Sequence, residues 1–228
     1  MAAMTYVEEF EDGPGGWAGH QKALEIENGV AISRSPWWVD PNHAPPGGGY
    51  LHLLFALWMD AGLAESNRPI AGDSRFVSGG FPTDFTNARL SVRIRGEVET
   101  RGAKLLLLAQ AQVGKIRVNS VLTAQPIDVT PDWSEQTITL APDDDQWLCI
   151  GSRHDLTHHY GYGEIADVVK DLNLDIIMVF HGLDMVPAGP IDGDPDILRA
   201  GEDYEADYSR LPEGYVMLDR VSIEFAGR

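Results

Sequence analysis

Apolar and polar residues alternate along much of the chain, a pattern typical of β-strands with one buried face. The alternation is clearest between Thr86 and Gly96. One side carries Leu90, Val92 and Ile94, and the other carries Arg89, Ser91, Arg93 and Arg95. The pattern predicts a long strand that presents three arginines on its polar face.

The terminal segment Tyr215–Phe225 shows a similar pattern, with apolar residues at most odd positions. Asp219 is an exception, since it places a carboxylate on the apolar face. A buried unpaired charge is costly, so we expect Asp219 to meet a cation, an arginine or backbone donors. The carboxylate-rich strand Tyr6–Gly13 is a candidate neighbour, and we expect the two terminal strands to lie side by side and close the domain.

Short strands predominate in the rest of the chain. Asn28-Gly29 predicts a tight hairpin turn within Ala23–Ser33, because both positions accept positive φ angles. Further strands are predicted at 50–57, 104–113, 117–124, 136–140, 146–150 and 175–181. Helix is limited to one or two turns near 59–66 and a short segment at 163–172. The pattern predicts an all-β, antiparallel sandwich or jelly roll, forming one domain over residues 1–228.

The composition narrows the possible partners. The chain has 228 residues, 35 acidic against 17 basic, and a net charge of −18. This balance argues against nucleic acid and anionic membranes, which both attract basic surfaces. No apolar run approaches the roughly 18 residues of a membrane span. The N-terminus lacks a secretory signal, so we expect a cytoplasmic protein, or a secreted one whose signal has been removed.

Three segments together resemble jelly-roll carbohydrate-binding modules of the galactose-binding and concanavalin A-like kind. They are Glu9–Gly13 followed by Trp17, Leu218–Ile223, and Trp133–Leu140. The resemblance implies a lectin-like protein that binds a carbohydrate or another polar or anionic small ligand. It also implies a structural calcium between the first and last strands, held by Glu9, Glu11 and Asp219. Carboxylate oxygens suit calcium. In the alternative interpretation the two glutamates are solvated and Asp219 pairs with an arginine.

The arginine face is the first candidate ligand surface. Arg89, Arg93 and Arg95 offer planar donor forks for an anionic ligand. Gln110 and Gln112 on strand 104–113 are expected to join them on a shared face. The alternative is that these arginines pair with the protein's own acids on an outer surface.

A loop rich in histidine and tyrosine supports a different hypothesis, an enzyme on the same scaffold. His158, His159 and Tyr160 are the candidate acid–base residues of a lyase, hydrolase or cyclase. The alternative is a polar loop or the rim of a binding site. His181, at the end of a buried strand, is either a core histidine or part of the same cleft.

Tryptophans provide the remaining candidates. Trp37, Trp38 and Trp58 are placed to stack on sugar rings. Adjacent residues of an extended segment point in opposite directions, so only one of Trp37 and Trp38 is expected to be exposed. The other tryptophans, namely Trp17, Trp133 and Trp147, are predicted to lie in the core. Trp37 and Trp38 belong to a long loop over residues 34–49, and long loops are often functional.

Overall fold

The computed structural model of the protein describes residues 4–43, 50–195 and 197–227. Its strands are β1 (Thr5–Glu8), β2 (Trp17–Ala18), β3 (Glu25–Glu27), β4 (Val30–Arg34), β5 (Trp38–Asp40), β6 (Leu51–Trp58), β7 (Arg89–Glu99), β8 (Lys104–Val113), β9 (Ile116–Leu122), β10 (Ser134–Thr139), β11 (Trp147–Cys149), β12 (Tyr160–Gly161), β13 (Asp175–His181) and β14 (Glu213–Glu224). Its helices are α1 (Ala61–Ala71), α2 (Arg75–Ser78) and α3 (Ile165–Lys170). Single 3₁₀ turns cover Asp144–Gln146, His154–Leu156 and Tyr208–Arg210. Residues 44–49 of the predicted long loop lie outside the described residues.

The strands form two sheets. Sheet 1 has the order β10-β7-β14-β4-β3, with β1 also paired to β14. Sheet 2 has the order β11-β9-β8-β13-β6-β2, with β12 on β9 and β5 on β6. All pairs are antiparallel except β12 with β9. The protein is therefore an all-β, antiparallel sandwich of jelly-roll type with a few short helices, and the predicted fold class is confirmed.

The core lies between the two sheets. Alternate residues of β7 and β14 enter it from sheet 1, among them Val92, Ile94 and Val221. Ile176 and Met178 of β13 enter it from sheet 2 and are fully buried. The predicted hairpin joins β3 and β4, with positive φ angles at Asn28 and Gly29.

The outer face of sheet 2 is covered as well. Leu108, Ile177 and Trp58 belong to a second buried cluster on this face. Helix α1 packs against it through Leu63 and Ile70. The helix is longer than the predicted one or two turns, and the Asp60 carboxylate caps its start by accepting the Leu63 N–H at 2.8 Å. Because α1 covers only part of the face, a space remains beside it.

Strand β14 corrects one sequence-based expectation. It pairs with β1, as predicted, but a register shift between Leu218 and Arg220 interrupts its alternation. Before this β-bulge the even positions are buried, as at Val216 and Leu218; after it the odd positions are, as at Val221. Asp219 is the extra residue of the bulge and lies on the outer side, so the carboxylate is not on the buried face.

A second correction concerns β7 and β8. The shared face predicted for the arginines, Gln110 and Gln112 requires these strands to be neighbours, but β7 pairs with β10 and β14 in sheet 1, whereas β8 pairs with β9 and β13 in sheet 2. Gln110 and Gln112 therefore do not share a face with the arginines of β7. Among the described residues, none of the helices has the length and apolar character needed to cross a membrane.

Candidate functional site

A polar cavity of about 450 Å³ lies on the outer face of sheet 2. Its floor is formed by residues of β8, β9 and β13 that alternate with the core residues. Helix α1 forms one wall, and the segment from Trp38 to Asn42 forms another. The polar residues that line it include His20, Asp40, Asn67, Gln110, Arg117, Tyr160 and Asp175. Buried polar groups gathered around one concave space are characteristic of a ligand site.

Asp175, the first residue of β13, supplies a carboxylate to the floor. Asp175 is only 4% exposed, and its Oδ1 has no hydrogen-bond partner among the described residues. Burial raises the pKa of Asp175 to about 7; the nearby Arg117 opposes this rise, and the charge of Asp40 adds to it. A carboxyl group of this kind is present in both protonation states near neutral pH, so it can donate or accept a hydrogen bond.

Asp40 and His43 form a buried ion pair at the cavity wall. His43 Nε2 lies 3.2 Å from Asp40 Oδ2, and its Nδ1 lies 3.1 Å from the Gly151 carbonyl oxygen. Both oxygens accept, so both ring nitrogens donate and the ring is an imidazolium. Burial alone would lower the pKa of His43 and raise that of Asp40. The attraction and the hydrogen bond between the two groups outweigh the effect of burial, so the pKa of His43 is raised and that of Asp40 is lowered.

An amide group and a guanidinium complete the floor. Gln110 of β8 donates its Nε2 hydrogen to Asn119 Oδ1 of β9; Asn119 itself is fully buried and does not line the cavity. Arg117 lies on the same face of β9, two residues before Asn119. Tyr160 of β12 pairs with Arg117 in the parallel register and lines the same cavity. Burial, followed by the charge of Asp40, raises the pKa of the Tyr160 hydroxyl.

Aromatic rings form the opposite side of the cavity. The His20 ring stacks on Trp38, with centroids 5.0 Å apart and planes 12° from parallel. Trp58 lies beside the same imidazole at 6.3 Å. Burial lowers the pKa of His20, so its ring is neutral at neutral pH. Trp37 points the other way and is 1% exposed in the core, where its Nε1 donates to Ser33 Oγ at 3.0 Å. Of the adjacent pair, Trp38 is the one that reaches the cavity.

The predicted arginine face lies on the outer side of sheet 1, away from this cavity. Arg93 pairs with Asp219, and Arg89 lies 3.6 Å from Glu224. Arg93 and Arg95 also stack over Trp133, at 4.9 and 4.8 Å from its ring centroid. Trp133 is therefore half-buried on the surface, and the prediction that it lies in the core was wrong. For Arg89 and Arg93 this arrangement agrees with the alternative interpretation, in which the arginines pair with the protein's own acids, whereas Arg95 contacts only the Trp133 ring among these groups.

The residues implied for calcium are not gathered into one ligand set. Asp219 is engaged by Arg93, and Glu9 faces Arg220 at 3.7 Å. Glu11 is exposed beside Gly29. Within the described ranges no group of three or more His, Cys, Asp or Glu side chains is placed to hold a metal ion. The geometry does not fit the implied site, and calcium binding stays an untested prediction.

The candidate catalytic loop contributes only one residue to the cavity. Tyr160 lines it, whereas His158 and His159 are exposed, with ring centroids 4.1 Å apart and planes tilted by 42°. His181 lies at the far end of β13 from Asp175 and does not line the cavity. Gln110 lies on its floor, but the neighbouring candidate Gln112 is exposed at its strand's end.

Several cavity residues were not identified from the sequence. Asp175 and Arg117 lie in strands that the sequence predicted, but their place on the cavity floor was not predicted. A weak signal exists: Arg117 and Asn119 are two apart, as residues on one face of a strand are. Asp175 is a single acid at the start of an apolar strand, which gives no indication of the face it occupies.

A second cavity, of about 430 Å³, is lined by Pro36, His52, Tyr208 and Pro212, among others. His52 is buried, its two nitrogens lack partners among the described residues, and burial lowers its pKa to about 4. The Ser35 and Ser209 hydroxyls at this cavity already take part in hydrogen bonds. It is lined by fewer polar side chains than the cavity on sheet 2.

Comparisons with known proteins give no family model and no curated protein that matches the chain. Among solved structures, the L4b domain of human laminin alpha-2 has a TM-score of 0.40 at 7% identity, covering 99% of each chain. CtCBM11 has a TM-score of 0.32 at 9% identity, covering 100% of this chain and 91% of its own. A structure from work on endo-acting O-glycanases of the human gut microbiota, which initiate mucin breakdown, has a TM-score of 0.33 at 11% identity, covering 100% and 94%. These likenesses carry no argument about function, and the strand pairing defines the fold.

Proposed function

We propose that the protein binds a carbohydrate in the cavity on the outer face of sheet 2. One observation supports this most strongly: two buried polar atoms without partners among the described residues, Asp175 Oδ1 and His20 Nδ1, belong to residues that line the cavity beside two tryptophans. Asp175 and Gln110 offer carboxylate and amide groups, which suit the adjacent hydroxyls of a sugar. Trp38 and Trp58 offer apolar surface for its C–H groups.

The size of the cavity agrees with this proposal. A volume of about 450 Å³ falls within the range of small-ligand sites, roughly 300–1,000 Å³. An unpaired buried polar atom costs on the order of 1–3 kcal/mol. A ligand that hydrogen-bonds to Asp175 Oδ1 and His20 Nδ1 recovers part of that cost. A purely apolar ligand would leave both atoms unpaired, so the floor selects for a polyhydroxylated one.

The proposal is tested by calorimetry with oligosaccharides first identified on a glycan array. Trp38→Ala removes an indole wall worth on the order of 1–2 kcal/mol of apolar contact, so affinity should fall about five- to thirtyfold. Trp133→Ala is the matched control, because it removes a half-buried indole from the outer face of sheet 1. Equal affinities for the wild type and Trp38→Ala would contradict the proposed site, as would a loss confined to Trp133→Ala.

A second candidate function is an enzyme that acts on the same sugar. The observation that favours it is the presence of two carboxyl groups, Asp175 and Asp40, whose pKa values are moved in opposite directions within one cavity. A protonated and an ionised carboxyl group at one site are the usual pair for glycosidic bond cleavage. Tyr160, which lines the cavity, is the residue of the predicted catalytic loop that could assist the bond cleavage. Prolonged incubation of wild type with the bound oligosaccharide should then release reducing ends. An intact oligosaccharide would leave binding as the function.

A further inference from the structure

Arginines in this acidic protein are almost all paired. Ten of the described arginines have a carboxylate oxygen within 4.0 Å, namely Arg34, Arg68, Arg75, Arg89, Arg93, Arg101, Arg153, Arg199, Arg210 and Arg220. Within the ranges that the structure describes, Arg95 and Arg117 have no such partner. With 35 acidic residues against 17 basic ones, an arginine without a carboxylate partner is unusual here.

The two unpaired arginines differ in their surroundings. Arg95 lies on the outer face of sheet 1 with its guanidinium over the Trp133 ring, so an aromatic face takes the place of an acid. Arg117 lies on the cavity floor, on the same face of β9 as Asn119. Because Arg117 lines the cavity rather than an open surface, a ligand bound in the cavity can serve as the partner of its guanidinium.

The other charged groups around the cavity do not neutralise Arg117 at close range. The titratable and charged side chains that line it are His20, Asp40, Arg117, Tyr160 and Asp175. The negative charge of Asp40 is already matched by the His43 imidazolium at 3.2 Å. Asp175 carries a proton for much of the time near neutral pH, and His20 and Tyr160 are neutral. The guanidinium, which lies close to the Tyr160 hydroxyl, thus has no carboxylate within 4.0 Å in the ranges that the structure describes.

We propose that the sugar is acidic, and that Arg117 binds the carboxylate of a uronic acid residue. This inference rests on the proposed carbohydrate-binding function. A guanidinium presents two parallel N–H groups whose spacing matches the two oxygens of a carboxylate. Asp175 in its acid form supplies a further donor, while Gln110 remains for hydroxyls. A sulfated sugar would offer a similar charge, and the experiment separates the two.

The experiment compares ligands that differ in the presence or the kind of their anionic group. Calorimetry measures the binding of tri-galacturonate, its fully methyl-esterified form and a sulfated trisaccharide of galactose. The wild type should bind tri-galacturonate at least tenfold more tightly than the ester, since only the free acid pairs with Arg117. It should also prefer tri-galacturonate to the sulfated sugar. The same measurements with tri-glucuronate and its ester cover the other common stereochemistry.

Three variants assign the preference to a residue. Arg117→Met keeps the length of the side chain and should abolish the difference between acid and ester, with ester binding retained as the control for folding. Arg117→Lys should keep only part of the preference, because an ammonium cannot form the paired contact. Arg95→Met is the matched control, since it removes the other unpaired arginine, and it should bind like the wild type.

Each remaining outcome decides between the two proposals. Equal binding of acid and ester by the wild type would overturn the uronate inference. If Trp38→Ala then bound neither the acid nor the ester, the sugar site itself would still be supported. A preference for the acid that survives Arg117→Met would also overturn it. Tighter binding of the sulfated sugar would show that the carboxylate assignment is wrong. Failure of every acidic and neutral sugar to bind would contradict the proposed function itself.

Discussion

Asp175 is the residue on which the account of the cavity depends most. It is a carboxyl group that the fold buries at the start of β13, with one oxygen lacking a partner. The charged form is disfavoured there because burial removes its hydration, and Arg117 compensates only in part. A carboxyl group desolvated in this way lowers the stability of the folded protein, and a ligand that hydrogen-bonds to it offsets that loss. The combination is typical of functional rather than structural acids.

This burial predicts a pH dependence of folding stability. The folded pKa of about 7 lies above an unfolded value of about 3.9, so the folded state binds the extra proton in this window. The Asp175 contribution to stability is therefore full at low pH and falls as the pH rises toward 7. Asp175→Asn removes this contribution. Between pH 5.5 and pH 8 the wild type should lose about 2 kcal/mol relative to the variant. Urea unfolding at the two pH values measures it, and a constant difference would contradict the burial of a titrating acid.

The Asp40–His43 pair gives a second prediction at this scale. His43 holds the segment after β5 against Gly151, and the Asn42 carbonyl adds to this link by accepting the Arg153 N–H at 3.1 Å. His43→Gln leaves the Asp40 carboxylate buried without its cation and should cost about 3–5 kcal/mol of unfolding free energy. The double variant with Asp40→Asn removes both charges and should recover part of the loss. If urea unfolding shows a loss below about 1 kcal/mol for His43→Gln alone, the pair is not the link described here.

At the scale of elements, the sequence predicted strands well and their partners poorly. Alternation is readable in β7 because one face is solvated. It is absent from β13, Asp175–His181, because the sandwich core covers one face and α1 with its neighbours covers part of the other. The pattern then contains no information on which face a residue occupies. Asp175 and Arg117 could not be placed in one cavity without knowing that β13, β8 and β9 are neighbours.

The β-bulge of β14 likewise changes the face that a residue occupies in a way that the sequence pattern does not predict. One extra residue moves Asp219 from the expected inner face to the outer face, where Arg93 meets it. The expectation that Asp219 would find an arginine is met, but the expected face was wrong. Since the turn chemistry of Asn28-Gly29 is purely local, that hairpin could be predicted, whereas a bulge depends on the neighbouring strands.

The outer face of sheet 1 supports a prediction about Arg93. The side chains of Arg93 and Asp219 are 39% and 32% exposed, so water screens much of their attraction. Arg93→Ala should change the free energy of unfolding by less than about 1 kcal/mol. It should also leave sugar affinity unchanged, because this face is remote from the cavity on sheet 2. A tenfold loss of affinity in calorimetry would return the ligand to the arginine face.

At the scale of the whole molecule, the net charge of −18 opposes the approach of an acidic ligand. The attraction by Arg117 acts only at short range within the cavity. Salt reduces the long-range repulsion more than the contact, since the Debye length falls from about 30 Å at 0.01 M to about 8 Å at 0.15 M. If the uronate inference holds, the association rate of tri-galacturonate should rise several-fold over this range, and that of its neutral ester should not change. Stopped-flow measurements test this, and a rate that falls with salt would indicate that attraction dominates.

The central claim is that a sugar binds on sheet 2, and the six tryptophans of the chain can test it in one titration. Each indole N–H gives its own signal in a ¹H–¹⁵N spectrum. Adding the bound oligosaccharide should shift the signals of Trp38 and Trp58, which line the cavity. The Trp133 signal from sheet 1 should stay in place, as should that of Trp17, whose Nε1 donates to the Tyr6 hydroxyl in the core. A shift of Trp133 with Trp38 and Trp58 unchanged would contradict the account.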